Sequence, residues 1–171
     1  ANNDIIFGTS NGLISFDPKH LYKSTFIPPM VFTNFKVCNK LVIPGDNSNI
    51  LQNNVNTTDK ITLKRDQNIF SLSFAALDMV NSDNIKYAYY LEGFDKDWNY
   101  VLKQRTATYT NLSPEVYYLH VKSTNSDGVW VNNERVIEIE VLPSFWETPI
   151  AIFLYVIVGL AIFLLLRIIS H

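Results

Sequence analysis

Only one cysteine, Cys38, occurs among the 171 residues. An internal disulfide framework is therefore excluded, and Cys38 reads as a small buried hydrophobe in an alternating segment. Basic residues are not in excess either. Fourteen Lys and Arg stand against sixteen Asp and Glu, for a formal charge of −2. Without a basic stripe to displace counterions from phosphates, no nucleic-acid partner is expected. His20, His120 and His171 lack the spacing of a metal-ligand set. Asp95-Lys96-Asp97 with Asp83 lacks the Gly and the bidentate Glu of a calcium loop, and reads as a solvated turn. Neither a Gly-x-Ser-x-Gly motif nor another nucleophile–base signature is present. No catalytic residue, metal or cofactor is therefore expected. The chain opens on Ala1 with neither an initiator Met nor a charged-then-apolar leader, and stops at His171 just past an apolar run. The expectation is an inner segment of a longer protein.

What is abundant is apolar and aromatic. From Pro149 to Leu166 the sequence reads PIAIFLYVIVGLAIFLLL without a charge, and Ile168 and Ile169 extend the run past Arg167. About 20 helical residues cover about 30 Å, the thickness of a hydrocarbon core, so one membrane-spanning helix is predicted. Phe145 and Trp146 precede it where aromatic rings favour the interface, and Pro149 suits a first helical turn. Arg167 and His171 follow the run while Glu147 precedes it, which by the positive-inside rule places the C-terminus in the cytoplasm.

Upstream of the helix, 9 Tyr and 11 Phe fall largely in short alternating runs, a β signature. The first stretch, DIIFGTSNGLISFDP, places Asn11-Gly12 between apolar runs and predicts a hairpin. A lone hairpin is marginal in water, so it is expected to belong to a larger sheet. Pro28-Pro29 marks a boundary. Strands are then predicted at about 30–37, 40–43, 60–64, 68–76, 85–92, 98–102, 105–110, 116–124 and 135–142. Asn47 to Asn56 reads as an exposed loop, the alternative being a short edge strand near Ile50–Leu51. The predicted fold is an all-β immunoglobulin/fibronectin III-like β-sandwich followed by one transmembrane α-helix. Its divisions are 1–27 (strands and linker), 28–143 (sandwich) and 144–171 (juxtamembrane link and helix). Leu112-Ser113-Pro114 before Tyr117 suggests a tyrosine corner, with the hydroxyl bonding back to nearby backbone. Gly93 and Gly128 suit positive φ. Trp98 and Trp130 read first as core or rim packing. Together with Tyr100 they are also candidates for an aromatic sugar platform.

Three phrases carry a family resemblance. YAYYLEGFDKDW (Tyr87–Trp98), RTATYTNLSPEVYYLHVKSTNSDGVW (Arg105–Trp130) and VLPSFWET (Val141–Thr148) together resemble the YYY domain of Bacteroidetes hybrid two-component sensors. The motif residues are Tyr87, Tyr89, Leu91, Gly93, Trp98, Leu112, Pro114, Tyr117, Gly128 and Trp130. FGTSNGLISFDP resembles the closing strands of a β-propeller repeat. One departure is Glu115, where the family commonly has Gly. The resemblance implies an upstream periplasmic propeller and a downstream histidine kinase on the same chain, and a homodimer as the working unit. It further implies a single pass through the bacterial inner membrane, with residues 1–148 periplasmic. The implied role is non-catalytic relay of carbohydrate sensing from propeller to kinase. The alternative is a membrane-tethered carbohydrate-binding module.

Overall fold

In a computed structural model, residues 4–20, 23–80 and 82–170 are described. Asn81, which with Ser82-Asp83 reads as a turn signal in the sequence, and His171, used above as a topology signal, lie outside them. The first element is the hairpin of β1 (Ile5–Thr9) and β2 (Gly12–Phe16). Thr9 pairs with Gly12 around a two-residue turn, and Thr9 Oγ1 donates to the Gly12 carbonyl at 2.8 Å. Phe7 and Phe16 stack at 6.0 Å. Ile5, Ile6, Phe7, Leu13 and Ile14 are nevertheless all exposed.

The sandwich follows. β3 (Met30–Val37), β4 (Lys40–Val42), β6 (Ile69–Ala76) and β9 (Thr106–Thr110) form a four-stranded sheet in the order β4-β3-β6-β9. β5 (Lys60–Leu63), β7 (Tyr87–Glu92), β8 (Asn99–Val101), β10 (Val116–Ser123) and β11 (Arg135–Val141) form a five-stranded sheet in the order β5-β11-β10-β7-β8. Alternation decides which side chains face inward. Phe70, Leu72 and Phe74 of β6 meet Tyr117, Leu119 and Val121 of β10 and Ile137 and Ile139 of β11 in one core. Each such aromatic or aliphatic side chain stabilises by about 1.5–3 kcal/mol when fully buried. In β3 both Phe32 and Phe35 are buried, an odd spacing for a strand. The register to β6 shifts between Phe32 and Asn34, so Thr33 is an extra residue that returns the apolar face to the core.

Two local expectations are corrected. Cys38 is exposed, not buried: with Asn39 it forms the β3–β4 turn, both at positive φ (48° and 63°). The stretch from Asn47 to Asn56 contains no strand near Ile50–Leu51, and it is not simply exposed. Leu51 and Val55 enter the core as the chain crosses from edge strand β4 to edge strand β5 of the other sheet, where a polar loop would leave the core open.

Helix α1 (Pro149–Ile169) is 21 residues long and so spans about 31 Å. It is long and apolar enough to cross a bilayer, and among its side chains only Ala151 is buried.

Candidate functional site

The motif residues fall into two groups, one inside the sandwich and one on its surface. Tyr87 is buried, and its hydroxyl accepts from the Ala76 N–H at 3.3 Å, joining one sheet to the other. Tyr89 packs on Phe74 and edge-on against Tyr109, and Leu91 is fully buried. Tyr117 is buried and donates to the Ser113 carbonyl at 2.9 Å, forming the tyrosine corner over the buried Leu112 and half-buried Pro114. Gly93, at φ +94°, lies against the Tyr117 ring, and an added Cβ would stand 3.1 Å from Tyr117 Cδ1. Gly128, at φ +76°, closes a turn by donating to the Asn125 carbonyl at 3.0 Å.

Asp95 is not the solvated turn residue expected above. Its Oδ2 accepts from the Leu91 N–H (2.9 Å), the Asn99 amide (3.1 Å) and the Tyr109 hydroxyl (2.5 Å). Burial holds the Tyr109 phenol neutral well above the usual tyrosine range, and the hydrogen bond to Asp95 adds to this. Among the described residues, no group of three His, Cys, Asp or Glu side chains is placed to hold a metal.

A second arrangement holds the incoming linker against the connection between β10 and β11. The incoming linker, residues 23–29, has no regular structure and is held by side chains of the β10–β11 connection. Asn125, 1% exposed, donates to the Ser24 carbonyl at 2.9 Å, and Asp127 accepts from the Ser24 N–H. Asn133 donates to the Pro28 carbonyl at 2.8 Å and to Ser123 Oγ at 2.7 Å. Arg135, the first residue of β11, donates to the Met30 carbonyl at 3.2 Å and to both the side-chain and backbone oxygens of Asn56. Its guanidinium lies 4.5 Å from the Phe32 ring centroid.

At the far end of β11 the outgoing chain is held as well. The Leu142 N–H donates to the Leu63 carbonyl at 2.9 Å. Glu147 accepts from the Ser144 N–H at 3.0 Å and pairs with Arg65 at 3.5 Å. Arg65 in turn donates to the Leu112 carbonyl at 2.8 Å, next to the tyrosine corner. Phe145–Glu147 forms one 3₁₀ turn, and Thr148 caps α1 by accepting from the Ala151 N–H at 3.4 Å. Phe145 and Trp146 are exposed, Trp146 stacks on Tyr155 of the helix, and Arg167 sits in the last helical turn.

The three platform candidates do come together. Lys122 Nζ lies 3.9 Å from the Trp98 ring centroid, 5.6 Å from that of Trp130 and 5.8 Å from that of Tyr100. Tyr100 and Trp130 meet edge to face at 5.4 Å. Two residues away on the same face of β10, His120 lies between Glu92 (3.1 Å) and Glu134 (2.5 Å) and beside the Tyr90 ring. Residue type pointed to the three rings; nothing in the sequence pointed to the lysine at their centre.

Comparison with known proteins gives likenesses of three kinds, to a family model, to a relative in sequence and to solved structures. A sequence model of the Y_Y_Y domain matches residues 78–142. Histidine kinase P4 of Formosa agariphila is 31% identical over 167 residues, 96% of this chain but 12% of that protein. The extracellular domain of a putative hybrid two-component system from B. thetaiotaomicron superposes with a TM-score of 0.64 at 28% identity, over 83% of this chain and 19% of that one. The extracellular domain of a second such system from the same organism gives 0.60 at 29% identity, over 82% and 19%.

Proposed function

We propose, for a chain whose residues 78–142 are a Y_Y_Y domain and which belongs with the extracellular domains of hybrid two-component, histidine-kinase-like sensors, that it relays a signal to the membrane. In this reading a β-propeller ahead of the hairpin binds ligand, and α1 carries the change through the inner membrane to a histidine kinase. Residues 1–148 are periplasmic, and Arg167 lies on the cytoplasmic side. The sensor works as a homodimer, because two helices then report their relative position. The energy of the signal comes from unequal ligand affinity for two arrangements, and the sandwich supplies only the coupling.

The observation that carries this reading is that β11 is held at both ends. Asn133 and Arg135 grip the incoming chain at Pro28 and Met30. At the other end Leu142 pairs with Leu63, and Arg65 reaches Glu147 just before the helix. β11, seven residues and about 20 Å from end to end, links these grips. The test is a short flexible Gly-Ser insertion after Pro143 in the full-length sensor, read as polysaccharide-dependent transcription of its target genes. The insertion is expected to abolish induction while the protein still reaches the membrane. Undiminished induction would overturn the rigid-coupling reading.

A second reading, a tethered carbohydrate-binding module, is favoured by the convergence of Trp98, Tyr100 and Trp130 on Lys122.

A further inference from the structure

Strand pairing places a chemically mixed patch on the outward face of the five-stranded sheet. Tyr100 of β8 pairs with Ala88 of β7, and Ala88 pairs with Lys122 of β10. The row therefore reads aromatic, small, cationic. Ala88 is fully covered, although it lies on the outward face between the buried Tyr87 and the half-buried Tyr89. Tyr100 and Trp130 remain 65% and 41% exposed, so their rings are available to a ligand.

The lysine distinguishes this patch from simple rim packing. Its ammonium rests on the Trp98 face, yet among the described residues no carboxylate forms an ion pair with it. Glu134 would be the natural partner, since the β10–β11 register runs His120 to Val136 and Val121 to Arg135. Instead its carboxylate turns to His120. Glu92, on the other side, also faces His120. Lys122 is thus a fixed cation with its aromatic side satisfied and its anionic side open. A π-face beneath an ammonium holds the cation in place without neutralising it.

We propose that Lys122, Tyr100 and Trp130 form a binding site for an anionic saccharide, with a carboxylate or sulfate group on Lys122 and the pyranose ring on the exposed aromatic faces. The C–H bonds of a sugar ring carry partial positive charge and lie against the negative face of an aromatic ring. The acidic substituent receives a charge-assisted hydrogen bond from the ammonium. The inference rests on the carbohydrate-binding reading and adds the charge of the ligand to it; the relay reading stands or falls independently.

The test is isothermal titration calorimetry of the whole chain in a polyoxyethylene detergent, because glycoside detergents would compete. Three probes separate the possibilities: galacturonic-acid oligosaccharides, a sulfated galactan oligosaccharide and an uncharged galactan oligosaccharide. The expected result is saturable binding of a uronate or sulfated probe that weakens as salt rises. Lys122→Gln is expected to lower the affinity about tenfold or more, the share of one hydrogen bond to a charged group. Trp130→Ala is expected to lower it too, with circular dichroism unchanged. Equal affinity for the uncharged galactan, or Lys122→Gln binding as tightly as the parent, would overturn the anionic assignment while leaving a carbohydrate module standing. No saturable binding of any probe would overturn both.

Discussion

Replacing Gly93 with alanine tests whether the tyrosine corner is built as described. Two costs arise at once. A non-glycine residue at φ +94° is held in a sparsely populated region, which costs about 1–3 kcal/mol. The new Cβ would also stand 3.1 Å from Tyr117 Cδ1, where carbon atoms prefer about 3.5–4.0 Å. The ring must therefore move by a few tenths of an ångström. That movement works against the 2.9 Å bond from Tyr117 to Ser113, itself worth about 0.5–1.5 kcal/mol. Together the loss is about 2–4 kcal/mol, and Tm should fall by about 8–16 °C for a domain of this size. Thermal unfolding followed by circular dichroism measures it. A double-mutant cycle with Tyr117→Phe then separates backbone strain from ring displacement. A Tm drop under about 3 °C would refute the strain at Gly93. Strictly additive effects of the two substitutions would refute the steric link between Gly93 and the corner.

Two further outcomes follow from the Asp95 network. Asp95→Ala leaves the buried Leu91 N–H and the Tyr109 hydroxyl without their acceptor, and should cost about 2–4 kcal/mol in urea unfolding; Asp95→Asn, which keeps an acceptor oxygen, should cost less. Tyr109 is held neutral in the fold, while in the unfolded chain it ionises near pH 10. Its contribution is thus fully present below pH 10 and declines above it, by about 1.4 kcal/mol per pH unit. The slope of urea midpoint against pH above 10 should be shallower in Tyr109→Phe, and an unchanged slope would contradict the assignment.

The strands were legible because their signal is local. Alternation in Phe70, Leu72 and Phe74 or in Ile137, Ile139 and Val141 places each strand within a residue or two of its observed bounds. The bond from Tyr117 to Ser113 was legible for the same reason, since both partners lie in one short phrase. The contacts that hold the chain at its two ends were not. Asn133 finds Pro28 across 105 residues, and Arg65 finds Leu112 across 47. An asparagine in a polar turn looks the same whether it faces water or grips a distant carbonyl. Asp95 was misread for that reason, as an aspartate in a polar turn is usually solvated. Leu51 and Val55 were hidden by the polar residues around them, because a crossing that plugs an open sandwich edge needs only two apolar side chains and carries no period.

Strand β11 has one property that bears on how force moves through this molecule. It is bonded on both sides, antiparallel to β10 and parallel to β5. A load introduced at Asn133 and Arg135 and drawn off beyond Val141 runs along the strand axis. Both ladders are then stressed in shear, and their bonds share the load; a pull across the strand would part them one by one, as a zipper opens. On the relay reading the strand would act as a stiff rod, joined to the chain on one side through the polar contacts at Ser24 and Pro28 and on the other through the single 3₁₀ turn at Phe145–Glu147.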